Sequence, residues 1–269
     1  MQQILPIQGG DLASPTARRP RVSLRWAGLP VTLLGLVALW QLAVTVGGYK
    51  PFILPGPALV AERFVQTAQS GILWRHTSAT LVEALGGFVI AMLAGLSLGY
   101  VLAKIPWLER ALAPVLAASQ AVPIIAVAPL IILWSGPGLR SKLLIAALIT
   151  FLPILISTVV AIRSIPRELS EMALISGAGP LQMLRYVEAP LSLPVLFGGI
   201  RTGLALATTG AVVGEFVAGR EGLGALINIA RGLFDTPLIF VALLTLATIT
   251  LALYLAANLA ERLLVTWEQ

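Results

Sequence analysis

Long apolar stretches without a single charged residue dominate this sequence. The longest uncharged runs cover residues 26–49, 84–103, 111–139, 143–162 and 236–260. Each is long enough to supply the roughly 20 residues with which an α-helix crosses the hydrocarbon core of a bilayer. The pattern therefore predicts an all-α, polytopic membrane protein.

Glycine, proline and charged residues place the ends of six predicted transmembrane spans. The spans lie near residues 29–46, 79–103, 111–134, 141–162, 190–214 and 238–260. They form one membrane domain over residues 26–269, after a flexible cytoplasmic tail of residues 1–25. Six spans put both termini on the same side of the cell membrane. Ten Lys and Arg residues then lie in inner segments and seven in outer ones, which favours cytoplasmic termini.

Composition and charge exclude several function classes. The chain is 58% hydrophobic and only 11% charged, whereas about a quarter of the residues in an average soluble domain are charged. The net charge of +6 does not indicate nucleic-acid binding, because the basic residues are scattered along the chain. No cysteine is present, so thiolate metal sites and cysteine nucleophiles are excluded, and no metal site is predicted.

Prolines predict irregular helices in the membrane domain. The segment that begins at Leu54-Pro55-Gly56-Pro57 is too polar and short to cross the bilayer, and its apolar spacing predicts an external surface helix. Inside the spans, proline removes a backbone donor and bends or opens a helix. The prolines within the predicted spans are Pro114, Pro123 and Pro129 in the third, Pro153 in the fourth and Pro194 in the fifth.

The connector between the fourth and fifth spans has an amphipathic pattern of its own. Pro166 starts a predicted helix, residues 177–179 interrupt it, and Pro180 starts a second short helix. Apolar residues share one face of each helix, with Glu171, Arg185 and Glu188 around them. A loop with an exposed apolar stripe is typical of a segment that docks into a partner's groove. The alternative is an ordinary connector that happens to be amphipathic.

This connector resembles the EAA motif of ABC importer permeases. Glu171, Ala173, Gly177 and Pro190 fall at its Glu, Ala, Gly and Pro positions, with Met172 in place of the first alanine. Similarity to the nitrate, sulfonate and taurine group of these permeases continues outside the loop and covers roughly residues 29–262. The stretches that carry it are residues 120–138, 141–142, 151–153, 198–201, 210–216 and 222–224.

The resemblance implies the partners of the chain. Two permease copies would enclose a pathway, each EAA loop would lie in a groove of a cytoplasmic ABC ATPase dimer, and an external binding protein would deliver the substrate. The expected ATPase-coupling residues are Glu171, Met172, Ala173, Gly177, Gly179 and Pro190. The sequence contains no Gly-x-x-x-x-Gly-Lys-Ser/Thr phosphate loop. ATP and magnesium would therefore be used by the ATPase, while this chain binds no cofactor and is not an enzyme.

One position bears on the substrate. In Thr80-Leu-Val-Glu83-Ala, Glu83 stands where sulfonate, taurine and nitrate permeases usually have arginine. The segment is more similar to permeases for vitamins and heterocyclic precursors, such as riboflavin or hydroxymethylpyrimidine. A heterocyclic vitamin is the expected substrate, with a sulfonate, taurine or nitrate as the alternative.

Three polar residues are candidates for lining the pathway: Glu83, Gln120 and Arg201. Ionisable groups inside a membrane domain are functional by default. The structural alternatives are a solvated or paired Glu83, with Arg201 or Arg75 as its partner, and an Arg201 that forms an ion pair or extends to the interface. For Gln120, a hydrogen bond between helices is the alternative.

Two other function classes find little support in the sequence. Gly95-Leu-Ser97-Leu-Gly99 matches the nucleophile pattern of serine hydrolases, but it lies in an apolar helix rather than between a strand and a helix. Gly95 and Gly99 are then expected to form a helix-packing face. A gated channel would need no docking loop, and a membrane enzyme would need a nucleophile and base that this sequence does not bring together.

Overall fold

The computed structural model of the protein describes residues 25–266, with side-chain positions from residue 31 onwards. The predicted N-terminal tail, residues 1–25, lies outside this range except for its last residue. The described residues form α-helices joined by short turns, with one π-helical segment and no β-strand among them. In chain order the helices are α1 (Arg25–Gly47), α2 (Pro57–Gln69), α3 (Ile72–Lys104), α4 (Pro106–Ala121), α5 (Ile124–Ser135), α6 (Leu139–Arg163), α7 (Arg167–Ile175), α8 (Pro180–Met183), the π-helical segment (Leu184–Glu188), α9 (Ala189–Ala218), α10 (Leu223–Gly232) and α11 (Thr236–Leu264).

The predicted spans correspond to helices of this structure. Within the described residues, α3, α6, α11 and the continuous helix Pro180–Ala218 are long and apolar enough to cross a membrane. The pair α4 and α5 makes a fifth candidate span if it is counted as one. Within α1, the apolar helical stretch Val31–Gly47 is shorter than these four helices. The helix α1 belongs to a compact unit separate from the one that begins at Tyr49.

The third predicted span is broken rather than merely kinked. Its two halves, α4 and α5, are bent by 95°. The break falls at Pro123, and Val122 before it has the extended angles φ −82° and ψ 116°. Proline lacks an N–H and disfavours helical geometry in the residue before it, which accounts for the position of the break. The other two prolines of this span, Pro114 and Pro129, lie inside helices that continue past them.

The core consists of α3, α6 and α9, each of which contacts the other two. Glycines on α3 allow α6 to approach closely, since a Cβ atom at Gly95 would lie 2.8 Å from Cγ2 of Ile154. Gly99 faces Thr158 in the same way. The Ser97 hydroxyl donates to the Leu93 carbonyl of its own helix at 2.7 Å. The hydrolase-like sequence is therefore part of a helix-packing face, as expected.

Glycines of α9 also allow a close approach to α6. A Cβ atom at Gly210 would lie 2.6 Å from the Ala146 Cα, and one at Gly199 would overlap the Ser157 side chain. With no room for larger side chains, van der Waals contact between the backbones holds these helices together. A single change to a larger residue at Gly210 would force the helices apart.

The predicted surface helix is also present, as α2. It packs against α3 and α11. Arg63 of α2 donates to Asp235 at 2.5 Å, and Asp235 caps α11 by accepting from the backbone N–H of Leu238 at 3.1 Å. This carboxylate therefore joins α2 to the start of the last helix.

Candidate functional site

The EAA-like connector is a helix–turn–helix loop whose turn depends on one glycine. The helix α7 ends at Ile175, and Gly177, two residues later, has φ +82°. The Gly177 N–H donates to the Leu174 carbonyl at 2.9 Å, and the Ala178 N–H donates to the Ala173 carbonyl at 3.0 Å. This is a Schellman ending, which favours glycine because a Cβ atom strains the left-handed conformation.

The second predicted short helix of the loop is not a separate element. From Pro180, α8 continues through the π-helical segment into α9, so that residues 180–218 form one helix. The Ala189 N–H reaches back five residues to the Leu184 carbonyl. Pro190 next to it has no N–H, and its ring would clash with the carbonyl four residues earlier in a regular helix. The wider π-helical turn accommodates the proline without ending the helix.

The loop exposes a continuous set of large apolar side chains. On α7, Met172 is 64% exposed and Ile175 is 89% exposed, and on α8, Leu181 is 75% exposed. A shallow hollow of about 360 Å³ lies between α7 and the helix that follows the turn. It is lined by Leu169, Met172, Tyr186, Val187, Pro190 and Leu191. An exposed apolar surface of this kind is typical of a protein–protein docking site.

All six predicted coupling residues lie in this loop, in different roles. Glu171 and Met172 are exposed on α7, and Ala173 contributes the carbonyl that closes the turn. The N–H of Gly179 donates to Oε1 of Gln182 at 2.8 Å, which closes the first turn of α8. Pro190 is half-buried in the wall of the hollow.

One acidic residue of the loop is placed differently from the sequence-based expectation. Glu188 was expected beside the exposed stripe, but it is only 2% exposed. Its carboxylate accepts from the Tyr100 hydroxyl at 2.9 Å and pairs with the ammonium group of Lys104. Both partners belong to α3 and are four residues apart on the same helix face. That spacing is a sequence signal, but it does not reveal which acidic residue completes the group.

Glu83 also has a different partner from the ones expected. Its Oε1 atom accepts from the Lys142 Nζ atom at 2.6 Å, and it pairs with neither Arg201 nor Arg75. Glu83 is 3% exposed and Lys142 is 6% exposed, so the pair is buried between α3 and α6. Lys142 also donates to the Glu221 carbonyl at 3.1 Å. Lys142 was not among the partners expected for Glu83, and nothing in the local sequence pattern indicates this contact.

A second buried carboxylate lies beside this pair. Glu215 of α9 is fully buried, and its carboxyl group interacts electrostatically with that of Glu83. Its oxygens accept from the Thr80 hydroxyl at 2.6 Å and from the backbone N–H of Gly224 at 2.5 Å. His76 is buried as well, and its Nδ1 atom lies 2.7 Å from the Gly222 carbonyl oxygen. These contacts fix the turn between α9 and α10 against α3.

A hollow of about 720 Å³ borders the buried pair. Its wall includes Glu83, Lys142, Arg75, Arg220 and Glu221. Arg75 donates to the Glu221 carboxylate at 3.0 Å, and these hydrogen bonds and the guanidinium charge lower the pKa of Glu221. The second oxygen of Glu83, Oε2, is buried and has no hydrogen-bond partner among the described residues.

The other two pathway candidates lie elsewhere. Arg201 donates to Asn258 Oδ1 at 2.7 Å and to Glu261 Oε2 at 2.8 Å, so it joins α9 to α11 as the structural alternative proposes. Gln120 is exposed at the end of α4, beside a small hollow of about 270 Å³ next to the break in the third span. The three candidates therefore do not form one site.

Comparison with known proteins decides the family. Residues 87–267 match the family model described as "Binding-protein-dependent transport system inner membrane component". The chain belongs to this family. The permease is 71% identical over 269 residues to the riboflavin transport system permease protein RibX of Chloroflexus aurantiacus, covering 100% of this chain and 99% of that one.

More distant relatives of the permease are named for the transport of other substrates. The formylaminopyrimidine transport permease protein ThiX of Halalkalibacterium halodurans is 30% identical over 236 residues, covering 88% of this chain and 94% of its own. A putative aliphatic sulfonates transport permease protein, SsuC of Escherichia coli, is 36% identical over 239 residues, covering 89% and 90%. An inward-facing structure of the MetNI methionine ABC transporter matches the fold with a TM-score of 0.64 at 20% identity, covering 72% of this chain and 96% of that one.

These relationships assign the general role of the permease. It is a multi-pass inner-membrane subunit of an ABC importer, and it is a transport subunit rather than an enzyme. An importer of this family works with an ATPase and with a substrate-binding protein.

Proposed function

We propose that this chain is the membrane permease of a riboflavin importer. The observation that carries the proposal is the 71% identity to a riboflavin permease over the full length of both chains. Relatives with pyrimidine or sulfonate names share only 30% and 36% of their residues with it. The same substrate class follows from Glu83, which stands where an arginine is usual in oxyanion permeases. Because Lys142 neutralises Glu83, the buried pair offers no net positive charge to an oxyanion.

The permease acts as a homodimer that encloses the pathway within the membrane lipid. The loop of residues 165–190 lies on the cytoplasmic side and docks into a groove of the ATPase dimer through Met172 and its apolar neighbours. Both termini are then cytoplasmic, and the turn that contains Glu221 faces the external binding protein. ATP and magnesium are used by the ATPase subunits, and this chain binds neither of them.

Transport follows from two states of the permease with different contacts. ATP binding closes the ATPase dimer and moves the docked loops, and the resulting energy difference shifts the permease between inward-facing and outward-facing forms. Glu171 and the exposed apolar residues of α7 form the docking surface, while Gly177 keeps the turn in the shape that presents it. The break at Pro123 and the π-helical turn before Pro190 are the places where the helices can bend.

The proposal is tested most simply on the partner that selects the substrate. The binding protein of this importer would be purified and its melting temperature measured with riboflavin, hydroxymethylpyrimidine, taurine, an alkanesulfonate and nitrate. Stabilisation by riboflavin alone is the expected result, since ligand binding to the folded state raises the melting temperature. Stabilisation by a sulfonate or nitrate alone would replace riboflavin with the alternative substrate class and would leave the role as a permease intact.

A further inference from the structure

One connection between the coupling loop and the membrane core runs through residues 180–188, the C-terminal arm of the loop. The helix α7 packs against α8 and the π-helical segment. Between α7 and the ends of α3, α4 and α6 lies a hollow of about 760 Å³. Its wall includes Lys104, Arg163, Arg167, Glu171 and Glu188. A force applied to α7 by a docked partner can reach the core through residues 164–166, which join α7 to α6, and through the segment of residues 180–188, which ends at Glu188.

Glu188 is the point where this arm is attached to another helix. It is the last residue of the π-helical segment, and its side chain is 2% exposed. One carboxylate oxygen accepts from the Tyr100 hydroxyl at 2.9 Å and the other pairs with Lys104. The Lys104 ammonium also lies 5.6 Å from the ring centroid of Tyr100, so the three side chains form one compact group. The Lys104 side chain is 43% exposed, but the carboxylate of Glu188 is buried and has a hydrogen-bond donor on each oxygen, and charge-assisted hydrogen bonds of this kind hold two helices firmly together.

The helix beyond this attachment is less stiff. Pro190 has no N–H to donate, and the preceding turn is π-helical. The lower part of α9 can therefore change direction relative to the π-helical segment while Glu188 stays bound to α3. Since α3 packs along α6 in the core, a displacement of its end at Lys104 moves a core helix.

We propose that Glu188 is a positioning residue, which transmits movement of the coupling loop to α3 through Lys104 and Tyr100. This rests on the proposed function, in which the loop of residues 165–190 docks on the ATPase. The role predicts a specific defect. Without the Glu188 connection the ATPase still hydrolyses ATP, but less of that hydrolysis is converted into movement of the core helices and hence into transport.

The test uses the complete importer in proteoliposomes, with the permease, the ATPase and the loaded binding protein. The measured quantity is the amount of substrate imported per ATP hydrolysed. Glu188→Gln keeps the size of the side chain but removes its charge, and Lys104→Met removes the other half of the pair. Each is expected to lower the ratio about tenfold, the size of a typical coupling between two sites. The double variant should lose no more than either single variant, because both remove the same connection.

A matched control is available at the same end of the bundle. Glu109 pairs with Arg163, with 2.8 Å between Oε1 and Nη1, and joins the start of α4 to the end of α6 without involving the loop. Glu109→Gln is expected to leave the ratio unchanged. If Glu188→Gln does not assemble with the ATPase, Tyr100→Phe tests the same connection by removing one hydroxyl, and a smaller fall in the ratio is expected.

The results separate this inference from the proposed function. An unchanged ratio in Lys104→Met and Tyr100→Phe, or in an assembled Glu188→Gln importer, would overturn the positioning role. An equal fall in Glu109→Gln would also overturn it, because loss of any ion pair at this end would then suffice. Failure of the unaltered importer to move riboflavin would instead refute the substrate, and the ratio would then be measured with the ligand that the binding protein carries.

Discussion

Glu83 and Lys142 form an ion pair between α3 and α6, with the Nζ atom 2.6 Å from Oε1. Their side chains are only 4% and 8% exposed, so water contributes little to the solvation of either charge. Glu215 adds a second buried carboxyl group beside them. Lys142 therefore balances the charge of one of two neighbouring carboxyl groups, and the ion pair fixes α6 against α3, the helix from which Glu83 projects.

Removing one member of this pair should destabilise the permease. Lys142→Met leaves two carboxyl groups buried without their cation, and breaking a buried pair in this way typically costs about 3–5 kcal/mol. The measurement is thermal unfolding of the purified permease in detergent. Adding Glu83→Gln to Lys142→Met should restore much of the loss, because one of the two uncompensated carboxyl groups, the one that had paired with Lys142, is then removed. A double variant as unstable as the single one would contradict the ion-pair account.

The turn of the coupling loop should tolerate polarity but not charge. Asn and Asp both adopt the left-handed conformation of Gly177 more readily than other residues. Gly177→Asp also places a charge on the surface that docks into the ATPase, and it should abolish uptake while leaving membrane insertion intact. Gly177→Asn keeps the turn without the charge and should retain part of the uptake. Normal uptake by the Asp variant would contradict a docking role for this turn.

Two adjacent glycines of α9 should respond in opposite ways to the same substitution. A Cβ atom at Gly199 would overlap Ser157 of α6, whereas one at Gly198 would meet nothing within 4 Å. Gly199→Ala should lower the melting temperature, since the backbones of α6 and α9 must separate. Gly198→Ala should be neutral or stabilising, because alanine favours a helix over glycine by about 1 kcal/mol. Equal effects in thermal unfolding would argue against close packing at Gly199.

The proposed orientation can be measured directly because the chain contains no cysteine. Single cysteines would replace Ser176 in the coupling loop and Ser70 at the end of α2, and a membrane-impermeant thiol reagent would be added to intact cells and to inverted vesicles. The Ser176 position should react only in inverted vesicles and the Ser70 position only in cells. The reverse pattern would place the loop outside, where it could not meet the ATPase.

The helical framework was predictable because it follows from local patterns. Uncharged runs located the long helices. Gly177 located the turn of the loop, because glycine is the residue that most readily adopts the left-handed backbone conformation found there. The position of the break at Pro123 was not predicted. The same span also contains Pro114 and Pro129, and the presence of a proline alone does not tell which of the three interrupts the helix. The two ion pairs join residues that are 59 and 84 positions apart, so no local pattern identifies Lys142 for Glu83 or Lys104 for Glu188.

One experiment on the whole importer tests the proposed partners and the proposed substrate together. The permease, its ATPase and riboflavin-loaded binding protein would be reconstituted in proteoliposomes, and accumulation of riboflavin would be followed with ATP and with a non-hydrolysable ATP analogue. The account predicts accumulation only when all three proteins and hydrolysable ATP are present. Riboflavin entry that needs neither ATP nor the ATPase would contradict it, as would ATP-driven accumulation of a sulfonate in place of riboflavin.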